Sequence, residues 1–314
     1  MKRIIPLIVL LAIVRVGWSQ TATDGLMMPA RNYCTGFMFS QDKWNEYWEG
    51  SLRRNNGNIG SITTQAVTYM GNYGISDRTN AIVMLPYIST RASAGTMQPM
   101  SGIQDLSLTL KHQLMVTGSD STDRFRVFAV ASGSIPVSDY TPDYLPLSIG
   151  LQTKTLQGRL TFNYTHRSGF YANVSGGYTV RGNVTLDRPS YYTDGQLYLT
   201  NEVRMPSVAD VYAGVGYIRN GLETKVSWIR QSTLGGGDIR RQDMPFCSNR
   251  MDFSRVEALV MYYLPKARRV ALRASVTQTV AGRNVGASTT ILGGVLYTFR
   301  FNAKEFCKVP EAGH

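Results

Sequence analysis

Leu106-Ser107-Leu108-Thr109-Leu110-Lys111-His112-Gln113-Leu114 decides the fold. Leucines alternate with serine, threonine, lysine and glutamine, which is the period of an extended strand with one apolar and one polar face. The dyad recurs at Leu160/Phe162/Tyr164 against Arg159/Thr161/Asn163/Thr165, and at Leu197/Leu199/Val203 against Gln196/Thr200/Glu202/Arg204. It returns at Val211/Ala213/Val215/Tyr217, Val270/Leu272/Ala274/Val276 and Ile291/Val295/Tyr297/Phe299. Sustained helical periodicity is absent past residue 42. A water-soluble sandwich also alternates, but its strands average about six residues, whereas a tilted bilayer-crossing strand needs about ten, as many segments here have. Aromatic residues such as Trp44, Tyr47, Trp48, Tyr69, Tyr73, Tyr262, Tyr263, Tyr297 and Phe299 gather near segment ends, as in interfacial girdles. The expected fold class is all-β, a closed transmembrane antiparallel β-barrel of the outer membrane, in which closure satisfies the backbone groups that lipid cannot.

Composition agrees. The 314 residues are 17% charged and include 30 glycines and 18 tyrosines, against both a disordered chain and a long-helix protein. Lys2 and Arg3, the apolar stretch 4–14 and Gly17-Trp18-Ser19 read as a secretory signal peptide over residues 1–19, which leaves a mature chain with a balance of +9. An exported basic protein meets membrane lipids, lipopolysaccharide or an anionic solute rather than nucleic acid.

Candidate strands are 43–54, 59–73, 79–91, 104–116, 124–135, 146–154, 158–167, 169–181, 192–205, 208–218, 221–231, 251–264, 269–280 and 288–301. Fourteen is even and puts both termini in the periplasm, the long 232–250 connection outside, and Arg219-Asn220-Gly221 and Pro265–Arg268 at short turns. Twelve is the alternative. The expected division is a signal peptide (1–19), an N-terminal plug or periplasmic segment (20–42), the barrel (43–301) and a periplasmic tail (302–314).

Gly74-Ile75-Ser76-Asp77-Arg78-Thr79-Asn80, Leu85-Pro86-Tyr87 and Gly102-Ile103-Gln104-Asp105-Leu106 with Lys111 resemble segments of the MetA-pathway phenol-degradation family of outer-membrane proteins, relatives of the FadL/TodX hydrophobic-compound transporters. The resemblance is clearest over residues 44–116. It implies a fourteen-stranded barrel with an N-terminal plug that passes small hydrophobic molecules. It also implies that a proline-kinked third strand opens the wall sideways, with Leu85, Pro86 and Tyr87 as a lateral opening; the missing amide hydrogen of Pro86 should itself force a bulge or kink.

Alternation directs Lys111, Arg126, Arg159, Arg181, Arg204, Lys225, Arg273 and Arg300 into the lumen, balanced by Glu202 and Glu223. Such an excess of cations favours anionic solutes, unless the groups pair into a structural network. Cys34 before the first expected strand and Cys307 after the last are disulfide candidates, with Cys247 left in an outer loop. His166-Arg167-Ser168-Gly169 has the His-x-Ser spacing of a nucleophile and base, but reads more simply as a tight turn, and no third orienting group is evident in the sequence. His112, His166 and His314 are scattered, and no metal or other cofactor is expected. Met27, Met28, Met38, Met97 and Met100 read as packing residues, and Gly235-Gly236-Gly237 lacks the following helix of a phosphate cradle. The expectation is a non-enzymatic, passive channel for small hydrophobic or amphiphilic molecules. A non-transporting structural or accessory barrel of an outer-membrane assembly is the rival.

Overall fold

The computed structural model describes residues 21–118, 122–240 and 244–301. The expected signal peptide (1–19), the 302–314 tail and Cys307 lie outside these residues. The described chain is all β. Twelve antiparallel strands form the barrel: β1 Asn32–Trp44, β2 Ile62–Ser76, β3 Thr79–Ala92, β4 Asp105–Thr117, β5 Arg124–Pro136, β6 Thr155–Thr165, β7 Phe170–Arg181, β8 Val208–Arg219, β9 Leu222–Thr233, β10 Asp252–Leu264, β11 Ala267–Arg283 and β12 Thr289–Arg300. Each pairs with its neighbours in sequence, and β1 closes the cylinder by pairing with both β2 and β12. An additional short strand, Met100–Ile103, extends the ladder on β3.

The barrel therefore has twelve strands and not fourteen. Three expected strands are absent from the wall. Residues 43–54 contribute the end of β1 and a small hairpin, Glu46–Glu49 with Leu52–Asn55, at the barrel mouth. Residues 146–154 form no strand, and 192–205 contribute short hairpin pieces outside the cylinder. One strand was unforeseen, since residues 32–44 form β1 where a non-strand segment was expected. The middle of its inner face carries Cys34, Gly36 and Met38, small or apolar like Phe37 and Phe39 on the outer face, so over this stretch the polar half of the dyad is missing. Gly36 is required there, because a Cβ would overlap the Val295 carbonyl oxygen of β12.

Elsewhere the dyad is plain. Along β7, Phe170, Ala172 and Val174 are exposed while Tyr171, Asn173 and Ser175 are buried, and Leu108, Val215 and Val295 likewise face outward. One end of the cylinder carries tight turns, among them the two-residue Asn220-Gly221 turn, with φ of 53° and 83° as a primed hairpin turn demands. The other end carries the long connections, the arrangement in which bacterial barrels place short turns in the periplasm.

Those long connections are structured. Val184, Leu186, Tyr191, Val203, Met205, Phe246 and Cys247 form a second apolar core outside the wall. Burial there pushes the Cys247 thiol up to about 12. Asn284 ties three connections together. Its Oδ1 accepts from the amides of Gly50 (2.8 Å) and Ile239 (3.0 Å), and its Nδ2 donates to Asp238 (2.8 Å) and to the Arg250 carbonyl (2.7 Å). Arg283 forks onto both oxygens of Asp238 at 2.7 and 2.5 Å and holds that carboxyl below the usual carboxylate range.

Candidate functional site in the barrel lumen

The inner wall is polarised. Toward β1, β2 and β10–β12 it is apolar, where Cys34, Met38, Met70, Leu259, Met261, Tyr263, Ala271 and Leu296 pack around Met28. Toward β4–β9 it is mostly polar and charged, as buried Lys111, Arg159, Thr161, Asn163, Asn173, Ser175, Glu223 and Lys225 show, with Phe128 and Val130 of β5 as apolar exceptions.

The backbone of residues 21–31 lies against this wall. Lys111 is fully buried, and its Nζ donates to the carbonyls of Thr21 (3.0 Å), Asp24 (2.7 Å) and Leu26 (2.9 Å) and to Asp24 Oδ1 (2.7 Å). An ammonium has three protons, so two of these four acceptors share one. Asp24 also accepts from the amide of Leu26 and the hydroxyl of Thr21, which leaves a buried carboxylate well satisfied. Arg126 donates to the Gly25 carbonyl at 2.9 Å and Asn173 to the Thr23 carbonyl at 2.7 Å. Asn80, oriented to suit its neighbours, donates to the Met28 carbonyl at 3.1 Å and accepts from the Met28 amide at 2.6 Å. Asp77 accepts from the Ala30 amide at 3.0 Å, and the Arg31 amide donates to the Gly74 carbonyl at 2.8 Å. A Cβ at Gly74 would overlap the Pro29 carbonyl, so glycine is what lets the segment approach β2. Gly74, Asp77, Asn80 and Lys111 come from the stretches that carried the resemblance. In the structure all four hold residues 21–31.

Beyond Thr21 and Thr23, toward the long-loop end, lies a cavity of about 380 Å³ lined by Gln157, Arg159, Asp210, Tyr212, Lys225, Ile229, Gln231, Phe253, Glu257 and Arg273. Arg159 pairs with Asp210 and donates to Ser175 Oγ at 2.9 Å. Lys225 Nζ sits 5.3 Å from the Tyr212 ring centroid, and Ser227 donates to Glu257 at 3.1 Å.

Seven expected lumen charges, Lys111, Arg126, Arg159, Arg181, Glu223, Lys225 and Arg273, lie on barrel strands at inward positions. Glu202 and Arg204 do not. They sit in the connection between β7 and β8, where local alternation belongs to short hairpin pieces outside the barrel sheet, and Glu202 accepts from Asn183 there. Arg300 has inward parity but is exposed at the end of β12. Asp24, Asp210, Tyr212 and Glu257 were not anticipated. The outward dyad Val211/Ala213/Val215 had already implied the inward placing of Asp210 and Tyr212.

At Pro86 the partner of β3 changes. Thr79–Met84 pair with Ser107–His112 of β4, whereas Tyr87–Thr90 pair with Met100–Ile103, one residue out of register. Gln104 N donates to Pro86 O at 2.9 Å across this irregularity, which places the missing proline N–H on the same side. Cys34 is buried in β1 and does not precede the first strand. The expected partner Cys307 lies outside the described residues.

His166 Nδ1 is 2.7 Å from Ser168 Oγ, and Asp123 is a third group nearby, its Oδ1 3.7 Å from His166 Nε2. The Ser168 amide points at the same imidazole nitrogen, and Asp123 accepts from Tyr164 and from the Arg167 amide, so the set clasps the β6–β7 turn. No group of three or more metal-binding side chains occurs among the described residues.

Residues 54–203 match the family described as "Putative MetA-pathway of phenol degradation". The COG4313 outer membrane channel from Pseudomonas putida F1 shares the fold, with a TM-score of 0.68 at 12% identity over 87% of this chain and 97% of that one. The NanC porin (TM-score 0.45, 7% identity, 83% and 98% covered) and the translocator domain of the autotransporter NalP from Neisseria meningitidis (TM-score 0.45, 9% identity, 85% and 88% covered) are more distant. No curated protein matches. The family match and the shared channel fold support the resemblance read from residues 74–111.

Proposed function

We propose that this chain, an outer-membrane barrel of the MetA-pathway phenol-degradation type, is a passive channel for small amphiphilic or hydrophobic solutes whose conducting path is narrowed by its own N-terminal segment. In this reading residues 1–19 are a signal peptide, and residues 21–31 form a plug that continues directly into β1. Solute enters from the long-loop end, collects in the cavity above Thr21 and Thr23, and leaves past the segment or sideways near Leu85, Pro86 and Tyr87. The observation that carries the proposal is the four-acceptor grip of Lys111 on residues 21–26 beside a cavity of solute size. A wall that merely needed filling would fill with apolar side chains, as the β10–β12 side does.

The same grip favours a second reading, in which the lumen stays shut and the barrel is an accessory scaffold. Vesicle swelling with purified protein separates the two. The channel reading expects small amphiphiles to enter faster than into protein-free vesicles, and faster again when residues 21–28 are deleted. If neither protein admits any solute, the scaffold reading stands.

A further inference from the structure

We propose that the lumen cavity is a binding site for a small monocarboxylate with a flat apolar body. The inference rests on the reading of the lumen as a solute path and gives that path its chemical class.

Three cations, Arg159, Lys225 and Arg273, face the cavity against two carboxylates, Asp210 and Glu257. Asp210 is engaged by Arg159 and also accepts from Gln157 at 3.3 Å, while Glu257 accepts from Ser227. Behind the lining, Asp24 and Glu223 are matched by Lys111 and Arg126, so across this part of the lumen five cations face four carboxylates and one positive charge is left over where the wall is low in dielectric, which suits a single anionic group better than two or none. Arg273 carries it most directly. Its Nε is buried with no hydrogen-bond partner, and a buried guanidinium donor in that condition favours an acceptor brought by a ligand. Lys225 and Arg273 stand on β9 and β11 and reach inward from either side of β10, so their long side chains can share one carboxylate.

The remaining lining sets the rest of the ligand. Tyr212, Phe253 and Ile229 offer rings and an aliphatic surface, and Thr21 and Thr23 of the N-terminal segment form the floor. The 380 Å³ volume exceeds the roughly 150 Å³ of a cavity that accepts benzene, so a single ring with a carboxylate fits.

Isothermal titration calorimetry on the detergent-solubilised full-length mature protein tests the site, with benzoate, acetate and benzyl alcohol as probes. Benzoate is expected to bind saturably, acetate more weakly for want of the ring, and benzyl alcohol least for want of the charge. Arg273→Gln and Lys225→Gln should each weaken benzoate about tenfold, as the loss of one charge-assisted hydrogen bond does. Arg188→Gln, in an outer loop, should leave it unchanged. Equal binding of benzoate and benzyl alcohol, or benzoate affinity indifferent to both lumen substitutions, overturns the proposal. Benzoate binding without solute flux in vesicles would sink the channel reading and keep the site; flux without benzoate binding would do the reverse.

Discussion

Lys111→Met is the most informative single substitution. It keeps an unbranched side chain of similar length but removes the ammonium that meets three backbone carbonyls and the Asp24 carboxylate. Asp24 is then a buried charge that has lost its counter-ion, and breaking a buried pair from one side costs about 3–5 kcal/mol. That corresponds to about two to three and a half powers of ten in the ratio of docked to released segment. The remaining ties are one hydrogen bond each from Arg126, Asn173 and Asp77 and two from Asn80, at about 1 kcal/mol each or about twice that where a charge is involved, so together they rival the loss and the segment is expected to loosen and open more often rather than to leave the lumen. The expected result in planar bilayers is a rise in mean conductance and in current noise relative to wild type. The double variant Asp24→Asn/Lys111→Met should lie closer to wild type than Lys111→Met alone, because it removes the stranded charge as well. Conductance of Lys111→Met indistinguishable from wild type, in protein that still migrates as a folded barrel, would refute the claim that this lysine holds the segment down.

Three other outcomes follow from different parts of the molecule. Val215 is 61% exposed on the outer face of β8, so Val215→Arg should destabilise the barrel by about 2–4 kcal/mol in reversible unfolding from vesicles if it lies near the midplane, while Val215→Leu is neutral. Asn284→Ala strands the Gly50 and Ile239 amides and places alanine at a φ of 56°, so the outer connections should become protease-sensitive, at a cost of about 2–4 kcal/mol of local stability. The Asp238 carboxyl is depressed in the fold, so its contribution to that loop clamp is full above the ordinary carboxylate pKa and is lost as pH falls through the lower folded value. Asp238→Asn should abolish this acid step in the proteolysis profile. Cys247, buried and raised to about 12, should react with iodoacetamide at pH 8 far more slowly than an exposed thiol.

Strand identity was legible wherever a strand touches lipid on one side and a polar lumen on the other, as in β4, β6, β7 and β8. It failed where one condition lapses. The middle of β1 has apolar or small residues on both faces because Cys34 and Met38 join the methionine-rich core, so the dyad vanishes over that stretch. Residues 192–205 alternate because they form small hairpins over a second core outside the wall, and aromatic spacing in 43–54 reflects a hairpin at the mouth. The inward direction of Lys111, Arg159, Lys225 and Arg273 followed from parity alone. Their partners did not, since the pairing of Lys111 with Asp24 joins residues 87 positions apart and Arg159 meets Asp210 across 51. The role of Gly74, Asp77 and Asn80 was hidden for the same reason, for their motif looks like a turn signal until the N-terminal segment is laid across it.

The whole account depends on the outer face of this cylinder meeting hydrocarbon. Spin labels placed singly at positions 172, 173, 174 and 175 of β7, with the protein in phospholipid vesicles, measure this directly through collisional access to oxygen, which concentrates in lipid. High access is predicted for labels replacing Ala172 and Val174, and low access for those replacing Asn173 and Ser175. Uniform access along these four positions, or alternation of the opposite phase, would contradict a membrane-spanning barrel in this register.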